Sequence, residues 1–195
     1  TLLAIGVLIT FVVGSIPFFD FGKYALNIGA DPATGAAVEL PEGNGPFLPF
    51  GAYGIFAAMP FAVWLFLAIE QLPLAAEEST DPKRDMPKGI MYGMFTLIAL
   101  GFLVLIFNPA IPIERQVTDA AGIVTTAHGA FALGTSGEPI LDGFRVIFES
   151  TTAGALALVA VTGLVASFHA IIFAYGRQIY SLSRAGYYVP FMSLT

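Results

Sequence analysis

The chain has no cysteine and very little charge. Without thiols it offers neither a disulfide scaffold nor a thiolate-bound metal, and its redox compartment leaves no trace. Only 11% of its residues are charged, where a soluble domain carries about 25%. The basic residues form no tract, so nothing points to a nucleic-acid partner. What fills the chain instead is apolar: 56% of its 195 residues are hydrophobic and the mean hydropathy is +0.80. Such a composition is too apolar for a water-soluble globule and makes lipid the predicted solvent.

Charge is also missing from long runs. Leu2 to Phe19 carries none, and it lacks the basic flank and small-residue cleavage site of a signal peptide. The chain therefore reads as a fragment of a longer protein that opens on a membrane helix. A spanning helix needs about 20 mostly apolar residues. Four stretches are predicted to span, at about 2–19, 47–76, 90–113 and 150–176, so that 1–195 reads as one all-α transmembrane domain fragment. Asn108-Pro109 and Pro112 are expected to end the third, because proline cannot continue the hydrogen-bond ladder. The fourth is rich in Gly, Ala, Ser and Thr, which suits close helix packing where lipid supplies no hydrophobic drive.

The connections differ in charge. The short link 77–89 holds Lys83, Arg84 and Lys88, and the tail 177–195 holds Arg177 and Arg184. The long connections 20–46 and 114–149 are mainly acidic. Basic residues near span ends favour the cytoplasm. The link and tail are thus predicted inside and the two long connections outside, in a multi-pass protein of the cytoplasmic membrane. FGKYALNIG, in the first long connection, is a candidate for a short interfacial helix. GIVTTAHGAFALGTSGEPI, in the second, reads as irregular or short-stranded, with His128 as a solvated loop side chain.

The most informative stretch is PFAVWLFLAIEQLPLAAEESTDPKRDMPK, residues 60–88. Glu70 follows an apolar run, with no basic residue nearby. A carboxylate at membrane depth is costly and is expected to face a bundle interior or a wet cavity. Pro60 deprives the Phe56 carbonyl of its helical partner, and Pro73 does the same to Ile69. The second span is therefore predicted to be kinked or broken between the prolines. Irregular backbone at that depth requires burial in protein or a cavity, and its exposed carbonyls can hold a cation or an ammonium group. Glu70 can be a structural group bonded to this backbone, or a proton or cation handler; the two readings are compatible. Trp64 lies well inside the span and reads as a cavity-lining aromatic, suited to an amine through cation–π attraction.

These residues resemble the sixth membrane helix and following cytoplasmic loop of permeases of the amino acid–polyamine–organocation superfamily. The family pattern, Gly-Phe-Glu, Ala-Glu-Glu and Asn-Pro-x-Arg-x-Ile-Pro, appears as Ala68-Ile69-Glu70, Ala76-Glu77-Glu78 and Asp81-Pro82-Lys83-Arg84-Asp85-Met86-Pro87. SFHAIIFAYGRQIYSLSRAGYYVP, residues 167–190, resembles the eighth helix and its basic exit, most closely in the ethanolamine permease branch. The resemblance covers the whole chain as about the fifth to eighth helices. It implies a LeuT-like inverted-repeat fold with a broken sixth helix. It also implies a substrate segment at Trp64, Leu65, Phe66, Leu67 and Ala68, joined by Ser167, His169 and Ile171 of the eighth helix, with Glu70 in proton coupling or gating. Ala68 stands where glycine is usual, and half of such a site would lie on helices absent from this chain.

The implied activity is secondary transport of a small amine, ethanolamine first and an amino acid as the alternative, by alternating access with protons as the candidate coupling ion. The partners are substrate, bilayer and the missing helices; no cofactor or metal is implied. An enzyme would need a nucleophile–base pair or metal ligands at depth, and the spans offer Glu70 and His169 without a Gly-x-Ser-x-Gly or a helical His–Glu pair. A channel or sensor on the same fold is a further alternative. His169 itself is open between substrate or proton contact and a structural hydrogen bond.

Overall fold

The computed structural model describes residues 2–66, 73, 76, 79–118 and 122–193. Most of them are helical. The helices are α1 (Leu2–Ser15), α2 (Gly51–Phe66), α3 (Pro82–Phe107), α4 (Gly129–Gly134), α5 (Pro139–Ile147) and α6 (Ser150–Arg184). Two antiparallel hairpins interrupt the all-α expectation: β1 (Ile28–Ala30) with β2 (Ala37–Glu39), and β3 (Glu114–Thr118) with β4 (Val124–His128). Each lies within one of the two long connections. Along β3, exposed and partly buried residues alternate, the pattern of a half-buried strand.

The helix ends follow from local chemistry. α1 stops where the Ser15 hydroxyl donates back to the carbonyls of Phe11 and Val12, at 2.8 and 2.9 Å, and Pro17 turns the chain into a 3-10 segment, Ile16–Phe18. Asp20 then caps a single π-type turn, Phe21–Ala25, by accepting from the Lys23 N–H at 3.0 Å. This is the short helix suggested by FGKYALNIG. α3 ends at Phe107, directly before Asn108-Pro109. It starts at Pro82, so residues 82–89 are helical rather than loop. Pro82 occupies the first turn, where its missing N–H is no loss. The Asp81 carbonyl accepts from Arg84 and Asp85, and Asp85 suits the positive end of the helix dipole. α6 likewise runs on to Arg184, eight residues past the expected end of the fourth span.

α3 and α6, with 26 and 35 residues, are long and apolar enough to cross a membrane. α1 and α2, at 14 and 16 residues, are shorter, so two of the four expected spans reach that length among the described residues. α2 stays helical through Pro60, and residues 67–72, which would carry a break, lie outside the described residues. Hydroxyls on these helices bond to their own backbone, as Thr10 does to Gly6 and Thr96 to Tyr92. That satisfies a polar group without a partner outside the helix.

The chain divides into two compact units, Thr1–Met59 with Ala99–Val161 and Pro60–Ile98 with Thr162–Thr195. The first has a core of Val7, Phe11, Ile111, Ile113, Ala127, Ala132, Phe144 and Ala153. Phe11 and Phe144 meet edge to face, with ring centroids 5.3 Å apart at 80°. The second is formed of helical segments with exposed apolar side chains, among them Phe61, Phe95, Leu164 and Phe168. Its C-terminal turn is closed by the Ser183 hydroxyl, which donates to the Val189 carbonyl at 2.8 Å.

Candidate substrate-binding segments

α2 brings Trp64, Leu65 and Phe66 to its C-terminal turn. Leu65 is exposed and Phe66 half-buried. Leu67, Ala68 and Glu70 lie outside the described residues. α6 carries Ser167, His169 and Ile171 in unbroken helix, all three exposed. An α-helix turns about 100° per residue, so Ser167 and Ile171 share a face while His169 lies about 200° round from Ser167. Ser167 and Ile171 therefore share one side of α6, and His169 lies on another. Ser167 belongs with Gly163, Ala170 and Ala174 on a small-residue face, the type that admits close packing.

His169 is held by its own helix. Nδ1 lies 3.1 Å from the Val165 carbonyl oxygen. A carbonyl only accepts, so Nδ1 carries the hydrogen and Nε2 is left with a lone pair. The arrangement fixes the tautomer and the ring orientation together. It presents an acceptor to any ammonium or hydroxyl donor that approaches Nε2.

A second polar assembly, not anticipated from sequence, lies in the first unit. An open groove of about 1010 Å³ is lined by Phe18, Glu114, Arg115, Glu138, Asp142 and Arg145, among others. Asp142 is its hub. Its Oδ2 accepts from Arg115 Nη1 at 3.0 Å and from the Ser136 hydroxyl at 2.5 Å, and its Oδ1 accepts from Arg145 Nη1 at 2.9 Å. Glu138 adds a longer contact of 3.7 Å to Arg145. The Asp142/Arg145 pair at i,i+3 on α5 was a legible signal. The tie to Arg115 was not, because 27 residues separate the two.

His128 departs from its expected solvated state. Glu39 Oε1 lies 2.6 Å from its backbone N and 3.0 Å from its Nδ1. Its carbonyl accepts from Asn27 Nδ2 at 2.6 Å. The imidazole is 39% exposed, and it joins the two long connections.

Comparison with known proteins agrees with the resemblance at the level of the family. The amino acid permease family model matches residues 1–194. The methylthioribose transporter of Bacillus subtilis (strain 168) is 23% identical over 153 residues, covering 78% of this chain and 30% of that protein. The branched-chain amino acid permease BcaP of the same organism is 24% identical, covering 79% of this chain and 30% of that protein. An uncharacterized transporter of Rhizobium meliloti (strain 1021) is 31% identical, covering 72% and 27%. No solved structure matches the chain. The chain thus spans under a third of the length of these relatives. With a family match over nearly its whole length and helices apolar enough to cross a bilayer, the chain belongs to the amino acid permease family of integral membrane proteins.

Proposed function

We propose that the protein containing this chain is a permease that moves a small amine-bearing solute across the cytoplasmic membrane by alternating access. In this reading the chain supplies about the fifth to eighth helices of a LeuT-like inverted repeat, and the helices it lacks complete the site. Link 77–89 and tail 177–195 face the cytoplasm; connections 20–46 and 114–149 face outside. The protein works as a transporter rather than a catalyst.

His169 is the observation that carries the reading. An imidazole in a long apolar helix is costly in lipid and belongs where it meets protein or water. With Nδ1–H committed to Val165, Nε2 is oriented to accept from a substrate ammonium or hydroxyl, or to take a proton. The segment Trp64 to Ala68 would meet the substrate from the other side, through an aromatic face and freed carbonyls. Glu70 would handle the proton, the role that the resemblance implies for it. Ser167 and Ile171, being on the opposite face from His169, serve packing in this arrangement.

Ethanolamine is the substrate favoured by Ser167-Phe168-His169 and Tyr175-Gly176-Arg177-Gln178-Ile179, which resemble that branch. An amino acid is the second reading, favoured by the relative named as a branched-chain amino acid permease. The test is uptake of labelled ethanolamine by the full-length protein in proteoliposomes under an imposed pH gradient. Glu70→Gln is expected to remove the gradient dependence, and His169→Phe to weaken substrate affinity. Uptake of an amino acid panel but not ethanolamine would select the second reading. No uptake of any amine or amino acid would overturn both.

A further inference from the structure

We infer that Glu39 is a latch that makes the two long connections, 20–46 and 114–149, move as a single cap. The inference stands on contacts within the first unit and does not depend on the substrate.

The latch is built on one residue of the second connection. His128 has four polar groups, and the first connection takes three of them. Glu39 Oε1 accepts from both the backbone N–H and the Nδ1–H, and Asn27 Nδ2 donates to the carbonyl. Glu39 and Asn27 are presented together because they meet at the base of one hairpin. Ile28 pairs with Glu39 in the β1–β2 ladder, and the Leu40 N–H donates to the Asn27 carbonyl at 2.7 Å. On the other side, His128 closes the β3–β4 ladder opposite Glu114. The next residue, Gly129, donates its N–H to the Ile113 carbonyl at 2.8 Å. The latch therefore grips the bases of both hairpins, the ladder ends farthest from their turns, rather than two loose loops.

Two further features make the grip stiff. Asn27 is 1% exposed, and hydrogen bonds shielded from water are costly to leave unmade. A second tie lies just ahead of the second connection, where the Asp20 N–H donates to the Ala110 carbonyl at 2.8 Å. Ile111, Ile113, Ala127 and Ala132 of these segments belong to one buried core. Two segments tied at separate points over a shared apolar core have no independent hinge. Glu39 is the member of the set whose loss frees the most, since one carboxylate oxygen holds two donors.

Hydrogen–deuterium exchange on the full-length protein in detergent micelles tests this, comparing wild type with Glu39→Ala, Glu39→Gln and Glu42→Ala. The expected result for Glu39→Ala is faster exchange, by roughly tenfold or more, in residues 28–40 and 113–134 together. Glu39→Gln keeps a carbonyl acceptor and should stay near wild type. Glu42→Ala, an exposed carboxylate on the same connection, should change neither segment. If Glu39→Ala does not fold, His128→Ala removes the ring contact alone and should give a smaller rise in the same two segments. A rise confined to 28–40, or no rise in a folded Glu39→Ala protein, would overturn the latch.

Discussion

Arg115 Nη1 lies 3.0 Å from Asp142 Oδ2, and the aspartate side chain is only 12% exposed. A carboxylate so covered needs every donor it has. Arg115, Ser136 and Arg145 supply them. Replacing Asp142 with alanine should leave two guanidinium groups facing each other across a groove, at a cost of about 1–3 kcal/mol. Arg145→Ala, at a side chain about half exposed, should cost under about 1 kcal/mol. Thermal unfolding of both variants in the full-length protein checks the order.

Phe11 is fully buried, and so is its edge-to-face partner Phe144. Phe11→Ala removes one of the two largest side chains of the core and should cost about 3–5 kcal/mol. Phe11→Leu keeps most of the volume and should lose far less. Melting temperatures of the two variants, measured in the same detergent, separate a packing loss from a general intolerance at the site.

The hairpin that carries Glu39 is expected to have its own pH dependence, through Asp31. Asp31 Oδ2 accepts from the Thr34 hydroxyl at 2.6 Å and Oδ1 from the Ala33 N–H at 2.9 Å. The Thr34 hydroxyl first, and then the Ala33 amide, hold the Asp31 carboxyl below its usual range. A depressed carboxyl contributes stability above its ordinary pKa and loses it as pH falls through the lowered value. Exchange at residues 31–36 should therefore quicken as pH falls below the ordinary aspartate range, once corrected for intrinsic rates. In Asp31→Asn that extra dependence should be absent.

Glycine is needed at 129 for two separate reasons. Its φ is +54°, and a Cβ there would stand 2.5 Å from the Tyr24 carbonyl oxygen and 2.9 Å from the Tyr24 Cα. Gly35 shares the positive φ, at +69°, but faces open space. Gly35→Ala should cost about 1–2 kcal/mol from backbone strain alone. Gly129→Ala should exceed it by about 1–3 kcal/mol, because backbone has to move. Chemical denaturation of the pair isolates the steric part.

How much of this was legible depends on the range of the interaction. α1 and α3 end where Pro17 and Asn108-Pro109 stop them, a local rule that sequence displays. The early start of α3 was also local, in Asp81-Pro82, but the charge of Lys83, Arg84 and Asp85 made it look like a loop. Charge opposes burial in lipid, not helix formation. The strands β1 and β2, three residues each, are too short to show a period. The ties Glu39–His128 and Arg115–Asp142 join residues 89 and 27 apart in sequence, and no windowed pattern reports such pairs. At the candidate site, the helical run 150–176 was readable, while its continuation to Arg184 was not, because the basic residues of the tail suggested an exit from the membrane. Glu70 remains a reading of cost and context, on residues outside those described.

The bond from Asn27 to His128 also has a consequence in time. Its partners are 101 residues apart. A ribosome working at about 5–20 residues per second makes the second roughly 5–20 seconds after the first. During that interval α2 and α3 are being synthesised while Asn27 and Glu39 have nothing to hold. The first connection is thus born incomplete, and it waits for its counterpart with a buried-type amide and a carboxylate exposed to whatever surrounds the nascent chain.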